Sequence, residues 1–399
     1  MWIEMERKSM RVVVIHPLKH HVYYSMAGVM KSGVEVEGLF GYYDKNDLLD
    51  QLVKKTKWKK QIEGYKYDKI SNCVKTNIIV KMLFLLAKAK PQFFQALYDW
   101  VFENWVIYNL NNVDCIHVLQ DYENKVIRYA KKHKIKIVYE QIIAFDMNQY
   151  IMNPSIIEND SKLLKEKENL YSADFIITGS DFVKKSIDDR INDSQIYNKI
   201  AVIPYGADTS KFTYRERVFD GERTLKLIIV AFITERKGFK YLLDAMEMLK
   251  NYDIKLSVIG KSNSEELSLF KRFETMDNVE YIGVVPHEHM NDYYADADIF
   301  VLPSLAEGSS LSVYEALASG LPCIVTNNTG SVVRNGYDGI IVETKDAESI
   351  ALAIKKFLNK PELVKAMSKN ASNTIMKYTW EHYENEISSI YKKRFERSH

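Results

Sequence analysis

PSLAEGSSLSVYEALASGLPCIVT, residues 303–326, reads as the end of one strand, a loop, a helix and the start of the next strand. The strand stops at Pro303, the loop carries Glu307, and the helix begins near Ser309 or Ser310 and is closed by Gly320 and Pro322, the usual C-terminal punctuation. Its first turn offers unpaired N–H groups and serine hydroxyls at the positive end of a helix dipole, a setting that suits a diphosphate. Glu315 follows Glu307 at up to about 12 Å if the intervening rise is helical. Carboxylates so placed can bracket a diphosphate, one accepting hexose hydroxyls and the other ribose hydroxyls.

Outward from this unit the same alternation of short apolar runs and amphipathic helical stretches recurs, as repeated βα units around a parallel sheet would require. The later runs are LKLIIVAF (225–232), KLSVIG (255–260), VEYIG (279–283), DIFVLP (298–303), PCIVT (322–326) and GIIVE (339–343). An earlier set comprises RVVVIH (11–16), VEVEGLF (34–40), DCIHVL (114–119), KIVYE (136–140), DFIITG (174–179) and KIAVIP (199–204). At 399 residues the chain is too long for one ordinary core. The expected fold is α/β, with two Rossmann-like parallel-sheet domains facing a central cleft: residues 1–205, a polar linker at 206–224, residues 225–378, and a closing helix at 379–399. Neither G-x-G-x-x-G nor G-x-x-x-x-G-K-[ST] is present, so neither sheet carries a dinucleotide fingerprint or a P-loop.

In VAFITERKGFKYLLDAME (230–247) a strand ends and Arg236 and Lys237 stand at the start of the next helix. Two cations at the C-terminal edge of a parallel sheet can hold a departing diphosphate and stabilise its charge as it develops.

Residues 303–326 resemble the E-x7-E motif of the retaining glycosyltransferases of family 4 (glycosyl transferases group 1), and Arg236-Lys237-Gly238 resembles that family's R-K-G pattern. VIPYGADTSKF (202–212) resembles the family's inter-domain stretch, and TWEHYENEISSIY (379–391) its closing helix, which crosses back to the first domain. VIG (258–260) and YIGVVP (281–286) resemble loops that contact the base, placing Gly260, Ile282, Gly283 and Val284 beside it. The resemblance is strong over 200–391 and rests mainly on strand order over 11–200. It implies the GT-B architecture, with acceptor on the first domain and a nucleotide sugar, a UDP- or GDP-sugar, on the second. It further implies retention by front-face departure and attack, with no cofactor and no metal. Arg236 and Lys237 would then serve the diphosphate, Glu307 the donor sugar, Glu315 the ribose, and Gly308, Ser309, Ser310, Leu311 and Ser312 the phosphates between them. The acceptor would be a glycan or a lipid-linked glycan of surface polysaccharide synthesis.

The first half departs from the family twice. HPLKHHVYYSMAG has no Gly-Gly after the first strand, and Lys19, His20 and His21 stand where phosphate or acceptor contacts are expected. After KIVYEQII the usual histidine is missing, leaving Glu140 to take a related polar role or His117 to substitute. These losses motivate one alternative, a catalytically silent homologue acting as a binding or scaffolding partner; a second alternative is a nucleotide-sugar epimerase on a similar two-domain fold.

Composition narrows the rest. The 55 basic and 53 acidic residues leave a formal charge of +2, too little to argue for nucleic acid. Cys73, Cys115 and Cys323 are scattered, without C-x-x-C spacing, which points to a reducing compartment and away from a zinc site. The N-terminus lacks a secretory pattern and no apolar segment reaches a membrane span, so a cytoplasmic location is expected. Lys54, Lys55, Lys57, Lys59 and Lys60 around Trp58, with KMLFLLAKAKPQFF, read either as helix faces or as a peripheral docking surface for an anionic leaflet.

Overall fold

The computed structural model describes residues 9–18, 21–56, 58–62, 64–120, 124–151, 161–261 and 267–395. Among the described residues thirteen strands fall into two wholly parallel sheets. The first comprises β1 Arg11–His16, β2 Glu35–Phe40, β3 Val74–Lys75, β4 Cys115–Leu119, β5 Lys136–Gln141, β6 Phe175–Thr178 and β7 Ile200–Val202, in the order β3-β2-β1-β4-β5-β6-β7. The second comprises β8 Leu225–Val230, β9 Ile254–Ile259, β10 Val279–Gly283, β11 Ile299–Leu302, β12 Cys323–Thr326 and β13 Gly339–Val342, in the order β10-β9-β8-β11-β12-β13. Central strands are apolar without alternation because helices cover both faces; Val12, Val13, Val14 and Ile15 are all fully buried.

Both sheets share the doubly wound order in which the chain starts in the middle and reverses direction across the first strand. The reversal lies between β1 and β4 in one domain and between β8 and β11 in the other. Loops leaving such neighbours diverge and open a crevice at the C-terminal edge. Every run read from the sequence forms a strand at its expected place; β3, a two-residue edge strand, had no readable run.

Residues 206–224 differ from the expected linker. Phe212 and Phe219 are buried in the core, and the Arg217 guanidinium donates to the carbonyls of Ala295, Tyr294 and Ser319. Apolar and guanidinium burial thus binds this stretch to the second domain. The final helix, Trp380–Phe395, lies against the first-domain helix Val22–Lys31. Trp380 stacks on Tyr24 with ring centroids 4.0 Å apart, and a Cβ on Gly28 would meet the Glu384 carbonyl at 2.7 Å. Lys31 pairs with the buried Glu384 carboxylate at 2.8 Å, and Tyr67 donates to it at the same distance.

Candidate active site

The second sheet's reversal brings together the two stretches singled out by their residues. After β8 the chain makes a tight turn over Glu235–Lys237, and Gly238, at φ +76°, starts the helix Phe239–Met248. A Cβ on Gly238 would meet the Pro303 carbonyl oxygen at 2.0 Å, so a glycine is what allows the loops after β8 and β11 to touch. Leu305 N–H donates to the Arg236 carbonyl at 2.7 Å, fastening them together.

Across this junction Glu307 receives both cations. The Arg236 guanidinium pairs with one carboxylate oxygen, and Lys237 Nζ lies 2.7 Å from the same oxygen. Lys237 is buried, and burial lowers its pKa, with Glu307 opposing the shift and Arg236 adding to it. Within this triad one carboxylate faces two cations, so an anion of higher charge can compete for them. Removing one partner from a buried ion group of this kind costs about 3–5 kcal/mol.

The helix after Glu307 is Leu311–Ala318, with Ser310 at its N-cap and Gly320, at φ +78°, just past its end. Ser310 makes no side-chain cap; its hydroxyl lies 3.3 Å from that of Ser312, and the Ser309 hydroxyl meets Tyr314 at 2.6 Å. The helix N-terminus is therefore not closed by its own N-cap side chain and presents the orphan donors that an oxyanion needs. Gly308 presses on the first domain: a Cβ there would meet the Ile142 carbonyl oxygen at 1.7 Å, and the Ser180 hydroxyl donates to the Gly308 carbonyl. Leu311 is exposed, whereas Ser309 and Ser310 are buried. Further along, Glu315 accepts from Tyr294 Oη at 3.0 Å and lies 3.2 Å from His287 Nε2.

Gly260 and Gly283 sit at the ends of β9 and β10, joined by a Gly260 N–H to Gly283 carbonyl bond of 2.8 Å. A Cβ on Gly260 would meet the Ala231 carbonyl at 1.8 Å. Ile282 is half-buried and Val284 exposed, so an apolar edge remains open beside them.

In the first domain, Lys19 and His20 lie outside the described residues. His21, His117 and Glu140 come together, but as one buried cluster rather than as open side chains on a cleft wall. Glu140 receives His21 Nε2 on one oxygen and His117 Nε2 on the other at 2.6 Å. The final helix completes the cluster, with Tyr391 Oη 2.9 Å from His117 Nδ1 and Tyr383 donating to Glu140 at 3.3 Å. Burial alone would raise the Glu140 pKa; the two imidazoles overcome it and hold the carboxyl well below its usual range. Beside it, burial and His21 lower His16 to about 3. These residues tie the returning helix to β4 and β5, a role that sequence spacing does not reveal.

Ser180, Ile142, Tyr294 and His287 escaped the sequence reading because their partners are distant in the chain. An inter-domain cavity of about 640 Å³, lined by Ser180, Phe182, Asn327, Asn328 and Ser331 among others, adjoins the Glu307 loop, where the Asn328 carbonyl accepts the Glu307 N–H at 3.0 Å. Among the described residues no group of three or more His, Cys, Asp or Glu is set to hold a metal ion.

Comparison with known proteins sets the chain beside glycosyltransferases. Residues 210–374 match the family model "Glycosyl transferases group 1". An uncharacterised glycosyltransferase of Methanocaldococcus jannaschii is 24% identical over 72% of this chain and 77% of its own length. The UDP-Gal:alpha-D-GlcNAc-diphosphoundecaprenol alpha-1,3-galactosyltransferase of Escherichia coli is 30% identical over 45% of this chain, which spans half of that protein. Among solved structures, sucrose-phosphate synthase from Thermosynechococcus elongatus superposes with a TM-score of 0.67 at 18% identity, covering 98% of this chain and 100% of its own. The Anabaena protein HepE, solved with UDP and glucose, superposes at 0.64 and 13% identity over 96% of this chain and 100% of its own. Fold, site and sequence together describe a two-domain GT-B protein that carries a glycosyl transferases group 1 domain over residues 210–374.

Proposed function

We propose that the protein transfers a hexose from a UDP- or GDP-sugar to a hydroxyl of a glycan or lipid-linked acceptor, with retention at the anomeric carbon and without a bound metal. The observation that carries this reading is the Arg236–Glu307–Lys237 triad at the mouth of the helix Leu311–Ala318. A diphosphate outbids a single carboxylate for the two cations and also engages the helix amides, and Glu307 is then free to accept sugar hydroxyls. Glu315, oriented by Tyr294 and His287, is set to accept the ribose hydroxyls. As the bond from the anomeric carbon to the diphosphate breaks, its electron pair passes to the phosphate oxygen, where Arg236 and Lys237 stabilise the charge. The acceptor oxygen bonds to that carbon on the same face, and its proton goes to the departing phosphate oxygen.

The choice of acceptor draws on relatives. The Escherichia coli protein is named for UDP-Gal and a diphosphoundecaprenol-linked GlcNAc, and a Staphylococcus aureus relative, 28% identical over 57% of this chain, is named for capsular polysaccharide biosynthesis. The test is proton NMR of the product formed from α-linked UDP- and GDP-hexoses with a lipid-pyrophosphate-linked sugar in the presence of EDTA. An α-linked product supports the reading. A β-linked product overturns retention, and isomerised donor formed without acceptor identifies an epimerase.

A further inference from the structure

Helices Ile78–Ala89 and Pro91–Tyr108 pack on each other across the single residue Lys90. Their inner faces, with Val80, Phe84, Tyr98 and Phe102, are buried in the core beneath the first sheet. Their outer faces are apolar as well. Ile78, Met82 and Leu86 recur at helical spacing on the first, and Phe93, Leu97 and Trp100 on the second, with Phe93 70% and Trp100 61% exposed. Single exposed apolar residues need no explanation, but an apolar stripe along two adjoining helices does. Lys81 extends the surface: its buried ammonium pairs with Asp47 and Asp50, holding the helix Leu48–Lys54 alongside with Leu48 and Leu52 exposed.

Charge and position choose the occupant. Lys90, between the two helices, and Lys55, at the end of the helix alongside, are exposed, and Lys88 is exposed with its ammonium 3.0 Å from Tyr65 Oη, whereas the two acidic residues of the helix pair are withdrawn, Asp99 half-buried and bonded by Gln95 and Glu103 buried. An apolar stripe rimmed by exposed cations complements an anionic lipid surface. Tyr98 donates to the Pro17 carbonyl at 3.0 Å, just past β1, so the second helix stands at the C-terminal edge of the first sheet, where the cleft opens.

We propose that this two-helix face docks on an anionic bilayer, seating Phe93, Leu97 and Trp100 at the boundary of headgroups and acyl chains and the lysines on the lipid phosphates. The proposal stands apart from the transferase reading, and its test contains no sugar. Flotation of the full chain is measured with vesicles of phosphatidylcholine alone and of phosphatidylcholine mixed with phosphatidylglycerol. Binding to the mixed vesicles should exceed that to the neutral ones by about tenfold, and Lys55→Gln with Lys90→Gln should weaken it by about fivefold per lysine. Phe93→Asp with Trp100→Asp should reduce binding by at least about tenfold at unchanged circular dichroism, because both side chains face outward. Trp100 emission should be quenched by brominated lipid in the wild type, a signal that Trp100→Phe reduces. Equal binding of wild type and the aspartate variant, no binding by the wild type, or a wild-type dimer dissolved by the same aspartates would overturn the proposal.

Discussion

Gly308→Ala is the most local test of how the two domains set the site. The new Cβ would lie 1.7 Å from the Ile142 carbonyl oxygen and 2.7 Å from its carbon, both backbone atoms that no rotamer change can move. An ordinary carbon–oxygen contact is roughly 3.3 Å, so the loops must part by about 1.6 Å, breaking the Ser180 bond to the Gly308 carbonyl and carrying the adjacent Glu307 with them. Misplacement by about 1 Å can cost a factor of about 100 in rate. The strain falls between domains rather than within a core, so parting relieves it at about 1 kcal/mol or less, toward the bottom of the range for overpacking. The melting temperature should then fall by no more than about 4 °C. The assay is kcat/KM for transfer beside a thermal melt. Wild-type kcat/KM would refute the reasoning, and so would an activity loss matched by collapse of the melt.

Lys237→Ala should lower kcat by roughly 100- to 1,000-fold, as deletion of an oxyanion donor does, measured at saturating donor. Glu315→Ala should instead weaken nucleoside diphosphate binding by about tenfold through loss of a charged acceptor, read by calorimetry, with kcat little changed. His16 is held at about 3, below its ordinary 6.5, so the folded protein resists a proton that the unfolded chain accepts. Its contribution is full above pH 6.5 and is lost as pH falls toward 3, by about 1.4 kcal/mol per unit. Urea unfolding between about pH 5 and 6.5 should show this slope in the wild type and a shallower one in His16→Gln.

The two parallel sheets and the loop-to-helix unit of the second domain were legible because they rest on local signals. RVVVIH and LKLIIVAF declare buried parallel strands by composition, and Glu307 through Gly320 declares a loop-to-helix unit by punctuation. β3, two residues long at an edge, lacks the length to make a pattern. The polar look of 206–224 hid Phe212, Arg217 and Phe219; Arg217 finds its partners some 80 to 150 residues away, at Ala295 and Ser368. His21, His117 and Glu140 were each visible as polar residues near strand ends. Their convergence under Tyr383 and Tyr391 depends on how the final helix docks, which periodicity leaves open although it does give that helix a buried face at Tyr383, Ile387 and Tyr391.

The proposed transferase activity requires that the Arg236–Glu307–Lys237 junction bind a nucleoside diphosphate. Calorimetric titration of the full chain with UDP, GDP, ADP and dTDP in EDTA should show one base preferred at a single site, weakened by Lys237→Ala. No binding of any diphosphate at saturating ligand, or binding that EDTA abolishes, would contradict it.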